Sequence, residues 1–289
     1  MQILLLALAL VLGACALGGM GLSDAAGTAP PDLALPRCIA GRACTPGNRC
    51  HQGVVRCSNG DPICDDIERV ISGDPNCTLL AYWPLDGDGH EVAMGRDLSL
   101  AGGVGFADGV PGRALSLKHQ ASQYASRPGN DGDLNLVGAN YTIQTWLSFN
   151  DLAGEQTFLE KFHGQAGAGW TLTKLASHEI EAYLSGDGIT FAPNPALVPG
   201  RWYHLVLRRE ANTVAFFLDG AKAATRTVLV PQQPVGEPLL VGKRNDLDGR
   251  DFSFNGRIDE VAIWRRALTD SEIGQLYNGG QGARASSIN

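Results

Sequence analysis

The chain has 289 residues and a formal net charge of −7 at pH 7. Apolar residues make up 44% of it, which is enough for a packed core and excludes a generally disordered chain. Lys and Arg form no run longer than a pair, so nucleic acid is not an expected partner, because such binding neutralises phosphates with clustered basic side chains.

Residues 1–15 predict an export signal. The segment Ile3–Leu12 is apolar and uncharged, and small residues follow it up to Cys15. This pattern is typical of the apolar core and cleavage region of a signal peptide, although the usual basic start is missing. The run is shorter than the roughly 20 apolar residues that a membrane-spanning helix needs.

Two cleavage patterns overlap at Cys15. Leu12-Gly13-Ala14-Cys15 resembles the lipobox of bacterial lipoproteins, in which the cysteine is lipidated, whereas Ala14-Cys15-Ala16 also fits a site for ordinary secretion. Lipidation of Cys15 would leave an even set of six cysteines, and removal of Cys15 explains that count equally well. We expect a lipoprotein of the bacterial outer membrane or cell surface, held to the membrane only by this anchor, with secretion as the alternative.

Residues 16–37 are rich in Gly, Ala and Pro and predict a flexible linker. Residues 38–78 predict a small disulfide-rich module, since four cysteines begin Cys-x-x-Gly units that resemble turns and a segment this short needs cross-links. A zinc site is the alternative, but no Cys-x-x-Cys pair occurs. Six cysteines allow fifteen pairings, so the connectivity stays open. The predicted disulfide cysteines are Cys38, Cys44, Cys50, Cys57, Cys64 and Cys77.

Residues 79–280 predict an all-β, two-sheet antiparallel sandwich, because short apolar or alternating runs are separated by turn residues. Residues 281–289 are expected to form a tail. Asp219-Gly220 predicts a tight type I′ hairpin turn, and Thr269 to Glu272 predict a capping box that starts one helix, ended by Gly279. The predicted strands are Leu79–Leu85, Ala114–Leu117, Tyr141–Asn150, Thr157–Lys161, Trp170–Leu175, Ile180–Leu184, Trp202–Arg209, Thr213–Leu218, Ala221–Arg226, Leu239–Val241 and Ile258–Trp264.

Five short segments occur in an order that resembles a known family: Ala81–Asp86, Tyr141–Leu147, Trp202–Val206, Phe217–Gly220 and Asn255–Trp264. Together they are similar to a laminin-G-like domain of the concanavalin A-like lectin/glucanase superfamily. The resemblance implies a jelly-roll sandwich whose first and late strands lie close together. It also implies a domain that binds carbohydrate or protein, as most of the superfamily does, while a minority cleaves glycans.

The resemblance further implies a calcium ion where Asp259 of the late strand approaches Asp86 and Asp88. Calcium takes six to eight oxygen ligands, several of them carboxylates. The acidic loop with Asp246, Asp248 and Asp251 is a second candidate. Both groups also fit ordinary solvated turns.

A sugar site needs an exposed aromatic ring, and Trp170 and Tyr183 are the candidates least tied to family motifs. Glu179 and Glu181 lie two residues apart, so they share one face of a strand, as the carboxylates of a glycan-cleaving enzyme do. Tyr183 stands where that pattern calls for more acid. We therefore expect a surface protein that binds carbohydrate or an envelope or extracellular protein without catalysis, with a glycan hydrolase or lyase as the alternative.

Overall fold

The computed structural model describes residues 43–44, 51–58, 61–70, 77–119, 122–138, 140–164, 167–245 and 251–288, and for residues 43–70 it gives the backbone alone. The predicted signal, Cys15, the linker, Asp246 and Asp248 lie outside these residues. Within the described part, no helix has the length and apolar character to span a membrane.

The cysteine-rich region contains a three-stranded antiparallel sheet in the order β1-β2-β3. Its strands are β1 (Ala43–Cys44), β2 (His51–Ser58) and β3 (Asp61–Val70). His51 to Gly53 lie in β2, where His51 and Gly53 pair with β3 across an irregularity of register, so these residues of a predicted Cys-x-x-Gly turn extend along a strand instead. Cys77 is disulfide-bonded, and the pairing of the other five cysteines stays a prediction.

The sandwich begins at Leu79 and consists of two antiparallel sheets, as predicted. The first has seven strands in the order β13-β12-β11-β10-β17-β8-β5. They are β5 (Ser99–Ala101), β8 (Tyr124–Arg127), β10 (Gln156–His163), β11 (Ala168–Lys174), β12 (Ile180–Leu184), β13 (Asp187–Phe191) and β17 (Leu239–Val241).

The second sheet has eight strands, in the order β16-β15-β14-β9-β18-β7-β6, with β4 paired to β18. They are β4 (Leu79–Trp83), β6 (Gly105–Asp108), β7 (Arg113–Leu117), β9 (Asn140–Phe149), β14 (Trp202–Glu210), β15 (Thr213–Leu218), β16 (Ala221–Thr227) and β18 (Gly256–Trp264). All eleven predicted strands are present, and β4 lies beside β18 as the jelly-roll resemblance implied.

The main core lies between the two sheets, where alternate residues of each strand point inwards. Trp83, Trp170, Phe158 and Phe216 are among its fully buried side chains. Burying one large apolar side chain stabilises a fold by roughly 1.5–3 kcal/mol, so these rings hold the sheets together.

A second cluster covers the opposite face of the eight-stranded sheet. We call it the outer cluster; it includes Tyr82, Val206, Phe217, Trp264, Ile273, Leu276 and Ile288. Helix α1 (Asp270–Tyr277) and residues 283–288 pack there, and the Trp264 indole N–H donates a 3.0 Å hydrogen bond to the Ile288 carbonyl. The predicted tail is therefore part of the packed domain, because residues pointing outwards from this sheet are also apolar.

Two local predictions are confirmed. Asp219 and Gly220 have φ of 50° and 76°, as a type I′ turn requires. Thr269 and Glu272 form the capping box, with the Glu272 amide donating to Thr269 Oγ1 at 3.2 Å. The helix ends at Tyr277, where Asn278 takes the left-handed conformation before the predicted Gly279.

Candidate functional site

A depression of about 240 Å³ lies on the outer face of the seven-stranded sheet. Ile180, Ala182 and Leu184 of β12 belong to the core, so Glu181 and Tyr183 between them face away from it. We call this depression the sheet-face site. Its lining residues are Glu155, Phe162, Gly164, Thr171, Thr173, Glu181, Tyr183 and Arg244.

Strand pairing sets the order of polar groups across the sheet-face site. Thr171 of β11 lies opposite Tyr183 of β12, and Thr173 lies opposite Glu181. On the other side of β11, Glu160 of β10 lies opposite Thr171. Directly opposite residues on a sheet face are close neighbours. Hydroxyl, carboxyl and phenol groups therefore form two adjacent rows across three strands.

Arg244 brings a positive charge to these rows from the segment after β17. Its Nη1 lies 3.1 Å from Glu155 Oε1, and its Nε lies 3.9 Å from the buried Glu160 Oε2. The guanidinium also stacks over the Phe252 ring, 4.7 Å from its centroid. Arg244 is held on both sides, and it offsets part of the negative charge of the site.

Glu181 has a perturbed carboxyl group. Its burial raises its pKa, the nearby Glu155 and Glu179 raise the pKa further, and Arg244 acts in the opposite direction. Glu179 lies just before β12 and accepts a 2.8 Å hydrogen bond from the Ser177 hydroxyl. The structure therefore brings both predicted glutamates to one face, where Glu181 keeps its proton to higher pH than an exposed glutamate does.

Tyr183 is the half-buried aromatic residue of the sheet-face site. Its ring meets Phe162 edge to face, with centroids 5.2 Å apart and an interplanar angle of 80°. Aromatic pairs favour this geometry, so Phe162 fixes the orientation of Tyr183. The structure thus places one of the two predicted sugar-contacting residues at the depression.

The prediction that Trp170 contacts a sugar is wrong. It is 0% exposed and lies in the core between the sheets, where its indole N–H donates a 2.9 Å hydrogen bond to the Leu134 carbonyl. Trp170 and Leu172 share a strand face, so the alternation of apolar residues in β11 already indicated that both point inwards.

The predicted calcium ligands lie at a different place, on the eight-stranded sheet. Asp259 is fully buried; its Oδ2 accepts a 2.6 Å hydrogen bond from the Val110 amide. The pKa of Asp259 is raised to about 8, mainly by burial and also by the nearby Glu260 and Asp86, while hydrogen bonds from the Val110 and Glu260 amides oppose the rise. Asp88 is exposed and accepts a 2.9 Å bond from the His90 amide within its own turn.

Arg284 supplies the positive charge beside these acids. Its Nη2 lies 2.6 Å from Asp86 Oδ2, and its Nη1 lies 2.9 Å from Glu260 Oε1. No three described Asp, Glu, His or Cys side chains are placed to hold a metal ion together. The residues as arranged do not fit calcium, since a guanidinium lies between two of the carboxylates. The resemblance implied calcium here, whereas this arrangement of charges favours ion pairs with Arg284 instead.

Asp251 is the described member of the second acidic loop. Its Oδ1 accepts a 2.9 Å hydrogen bond from the Ser253 amide, and its Oδ2 lies 3.9 Å from His119 Nε2. Partial burial acts to raise the pKa of Asp251, but the hydrogen bonds from Ser253 and the nearby His119 and Lys243 together lower it. Asp251 thus has protein partners of its own.

Comparison with solved structures shows the fold. Domain 4 of AbnA, a GH43 extracellular arabinanase from Geobacillus stearothermophilus in complex with arabinotriose, is 18% identical over 68% of this chain and 97% of that chain, with a TM-score of 0.54. The binding domain of Paraclostridial Mosquitocidal Protein 1 is 15% identical over 70% of this chain and 52% of that chain, with a TM-score of 0.56. Trypanosoma rangeli sialidase in complex with sialic acid is 16% identical over 72% and 34%, with a TM-score of 0.56.

The chain thus spans about half of the mosquitocidal binding domain's structure and a third of the sialidase. No curated protein matches the sequence. A laminin G family model, described as concanavalin A-like lectin/glucanases superfamily, matches residues 120–274, which is more than half of the chain. On this match, and on the two-sheet antiparallel sandwich described above, the chain belongs to the concanavalin A-like lectin/glucanase superfamily.

Proposed function

We propose that this chain is an exported surface protein whose β-sandwich binds carbohydrate at the sheet-face site without catalysing a reaction. The observation that carries the proposal is a half-buried tyrosine, Tyr183, beside Glu181, Thr171, Thr173 and Arg244 in one depression. An aromatic ring surrounded by hydrogen-bonding groups suits a sugar, which has apolar C–H faces and a rim of hydroxyls. The complex of the arabinanase domain with arabinotriose is consistent with this class of ligand.

The binding experiment uses the purified full chain and an array of plant, bacterial and animal glycans. We expect Tyr183→Ala to weaken binding of a retained glycan at least about tenfold, as the loss of a central aromatic contact does. Tyr124→Ala is the matched control, since Tyr124 is a half-buried tyrosine on β8 of the same sheet and does not line the depression. Equal binding by both variants, or no glycan retained by the wild type, would refute the proposal.

An envelope or extracellular protein is the alternative partner. The outer face of a sheet can accept either ligand, and the mosquitocidal neighbour is itself a binding domain. A protein retained by the wild type and lost with Tyr183→Ala, in the absence of any retained glycan, would favour this alternative.

We further propose that a lipid on Cys15 tethers the protein to a bacterial outer membrane or cell surface. The lipobox-like segment that ends at Cys15 supports this proposal. Stable anchoring takes more than one acyl chain, so the measurement is the mass of the mature N-terminus. A mature chain that starts at Cys15 and carries the acyl mass supports the tether, whereas an unmodified chain that starts after residue 15 supports secretion.

A glycan hydrolase or lyase is the second candidate function, because the pKa of Glu181 is raised and Glu179 lies on the same face. A general acid needs a carboxyl that stays protonated near its working pH. Polysaccharide length after long incubation with the wild type, Glu179→Gln and Glu181→Gln decides between the candidates. We expect no shortening; cleavage that either substitution abolishes would establish the enzyme.

A further inference from the structure

A second cavity of about 480 Å³, twice the volume of the sheet-face site, lies at an edge of the sandwich. Its walls come from residues 192–195 after β13, the start of β14, the turn between β15 and β16, and Tyr277 at the end of α1. We call it the edge pocket. Its volume falls within the roughly 300–1,000 Å³ of typical small-ligand sites.

Arg201 is the best positioned polar group of the edge pocket. Its Nη2 lies 2.6 Å from Asp219 Oδ2, and its guanidinium lies over the Tyr203 ring, 4.8 Å from the centroid. Asp219 Oδ1 accepts a 3.0 Å hydrogen bond from the His204 amide, so the carboxylate is fixed as well. Arg201 Nε and Nη1 make no hydrogen bond with any described residue, and 42% of the side chain is exposed to solvent. These two nitrogens are therefore available to a ligand.

Lys222 adds a second cation to the same pocket. Its Nζ lies 3.3 Å from Oδ2 of Asp270, a residue that does not line the pocket, and it also lies over the Phe217 ring. Arg201 and Lys222 thus face a single lining carboxylate, Asp219. The chain as a whole carries a net charge of −7, so this excess of positive charge is local and favours an anionic ligand.

The remaining walls are aromatic and fixed in place. Tyr277 stacks on the buried Trp146, with centroids 5.8 Å apart and an interplanar angle of 18°. Tyr203 is buried, and its hydroxyl accepts a 2.6 Å hydrogen bond from the Val198 amide. A rigid pocket with aromatic walls and two cations suits a ring that bears a carboxylate.

We propose that the edge pocket binds an acidic sugar, with its carboxylate at Arg201 and Lys222 and its ring against Tyr277. This site is separate from the sheet-face site, and either can exist without the other. It would let the domain hold a negatively charged glycan at a second point.

The test is isothermal titration of the full chain with glucuronate, galacturonate and N-acetylneuraminate, with glucose as the neutral comparison. We expect at least one acidic sugar to bind at least about tenfold more tightly than glucose, and higher salt to weaken it. Arg201→Gln and Lys222→Gln should each weaken that binding at least about fivefold, as the loss of a charged hydrogen bond does. Lys222 is exposed, so its variant stays informative if Arg201→Gln fails to fold.

Arg226→Gln is the matched control, because Arg226 is also an exposed arginine in an ion pair, 2.9 Å from Asp187, and does not line the pocket. Its affinity for the sugar should equal that of the wild type. The proposal is overturned if no acidic sugar binds, or if Arg201→Gln and Lys222→Gln bind it unchanged. Binding that is lost with Tyr183→Ala alone would assign the acidic sugar to the sheet-face site, which also overturns it.

Discussion

Replacing Arg284 with Met tests how the acidic groups of the eight-stranded sheet are stabilised. Glu260 is 0% exposed and accepts hydrogen bonds of 2.9 and 2.7 Å from the Tyr82 hydroxyl, but Arg284 is its cationic partner. Removing one partner of a buried ion pair costs about 3–5 kcal/mol. Burial raises the pKa of Glu260, so the ion pair is fully formed only at alkaline pH. Since 33% of the Arg284 side chain is exposed, we expect the lower end, about 3 kcal/mol, at pH 9. For a domain of this size, that loss lowers Tm by about 6–12 °C.

The loss should also depend on pH. Burial raises the pKa of Glu260 to about 8, while Tyr82 and Arg284 oppose that rise. Without Arg284 the pKa of Glu260 in the folded protein rises further above its value in the unfolded chain. A carboxyl with a raised folded-state pKa makes the free energy of unfolding fall as pH increases between these two values. Arg284→Met should therefore be more destabilised at pH 9 than at pH 5.

Urea unfolding followed by tryptophan fluorescence at both pH values measures this loss, with Arg226→Met as the control for removing an exposed arginine. A loss below about 1 kcal/mol at pH 9, the value of a surface ion pair, would refute the reasoning, as would equal losses at the two pH values.

Three further predictions concern stability. Gly220→Ala should lower the free energy of unfolding in urea by about 1–3 kcal/mol, because the added Cβ would lie 2.9 Å from the Tyr277 ring. The loss should exceed that of Gly200→Ala, since Gly200 has a similar positive φ and no neighbour within 4 Å of an added Cβ; equal losses would contradict the clash. The ion pair with Arg266 and the helix cap lower the pKa of Glu272 to about 2, so wild-type stability should fall as pH drops from 4.5 to 2, and Glu272→Gln should flatten that fall in acid titrations. Tm should be equal in calcium and in chelator, because a guanidinium already lies between the acids; a rise of several degrees with calcium would support the predicted metal site.

The alternation of apolar residues was sufficient to predict the sandwich. Eleven strands follow from it, but β5, β6 and β8 have only three or four residues each, too few for a clear period. The strand β13 contains Gly188 directly after a turn, and glycine there favours a loop over a strand in the sequence. Pairing with β12 supplies the stability that its own residues do not.

The sheet-face site could be predicted only in part. Glu181 and Tyr183 share a strand, so their common face follows from spacing alone. Arg244 lies more than sixty residues further along the chain, and its approach to Glu155 and Glu160 depends on the pairing of β17 with β10, which no local pattern indicates. The burial of Trp170 could have been predicted from Leu172. Residues two apart on a strand share a face, and both side chains lie in the core.

The pairing of β4 with β18 has a consequence for the order in which the protein folds. Trp83 lies opposite Val261, so the first strand of the sandwich finds its partner almost 180 residues later. Contacts this distant in sequence form late and slow the folding of a domain. A ribosome-bound chain that lacks Gly256–Trp264 exposes an unpaired edge of β4. The domain therefore completes its folding only after synthesis has delivered β18.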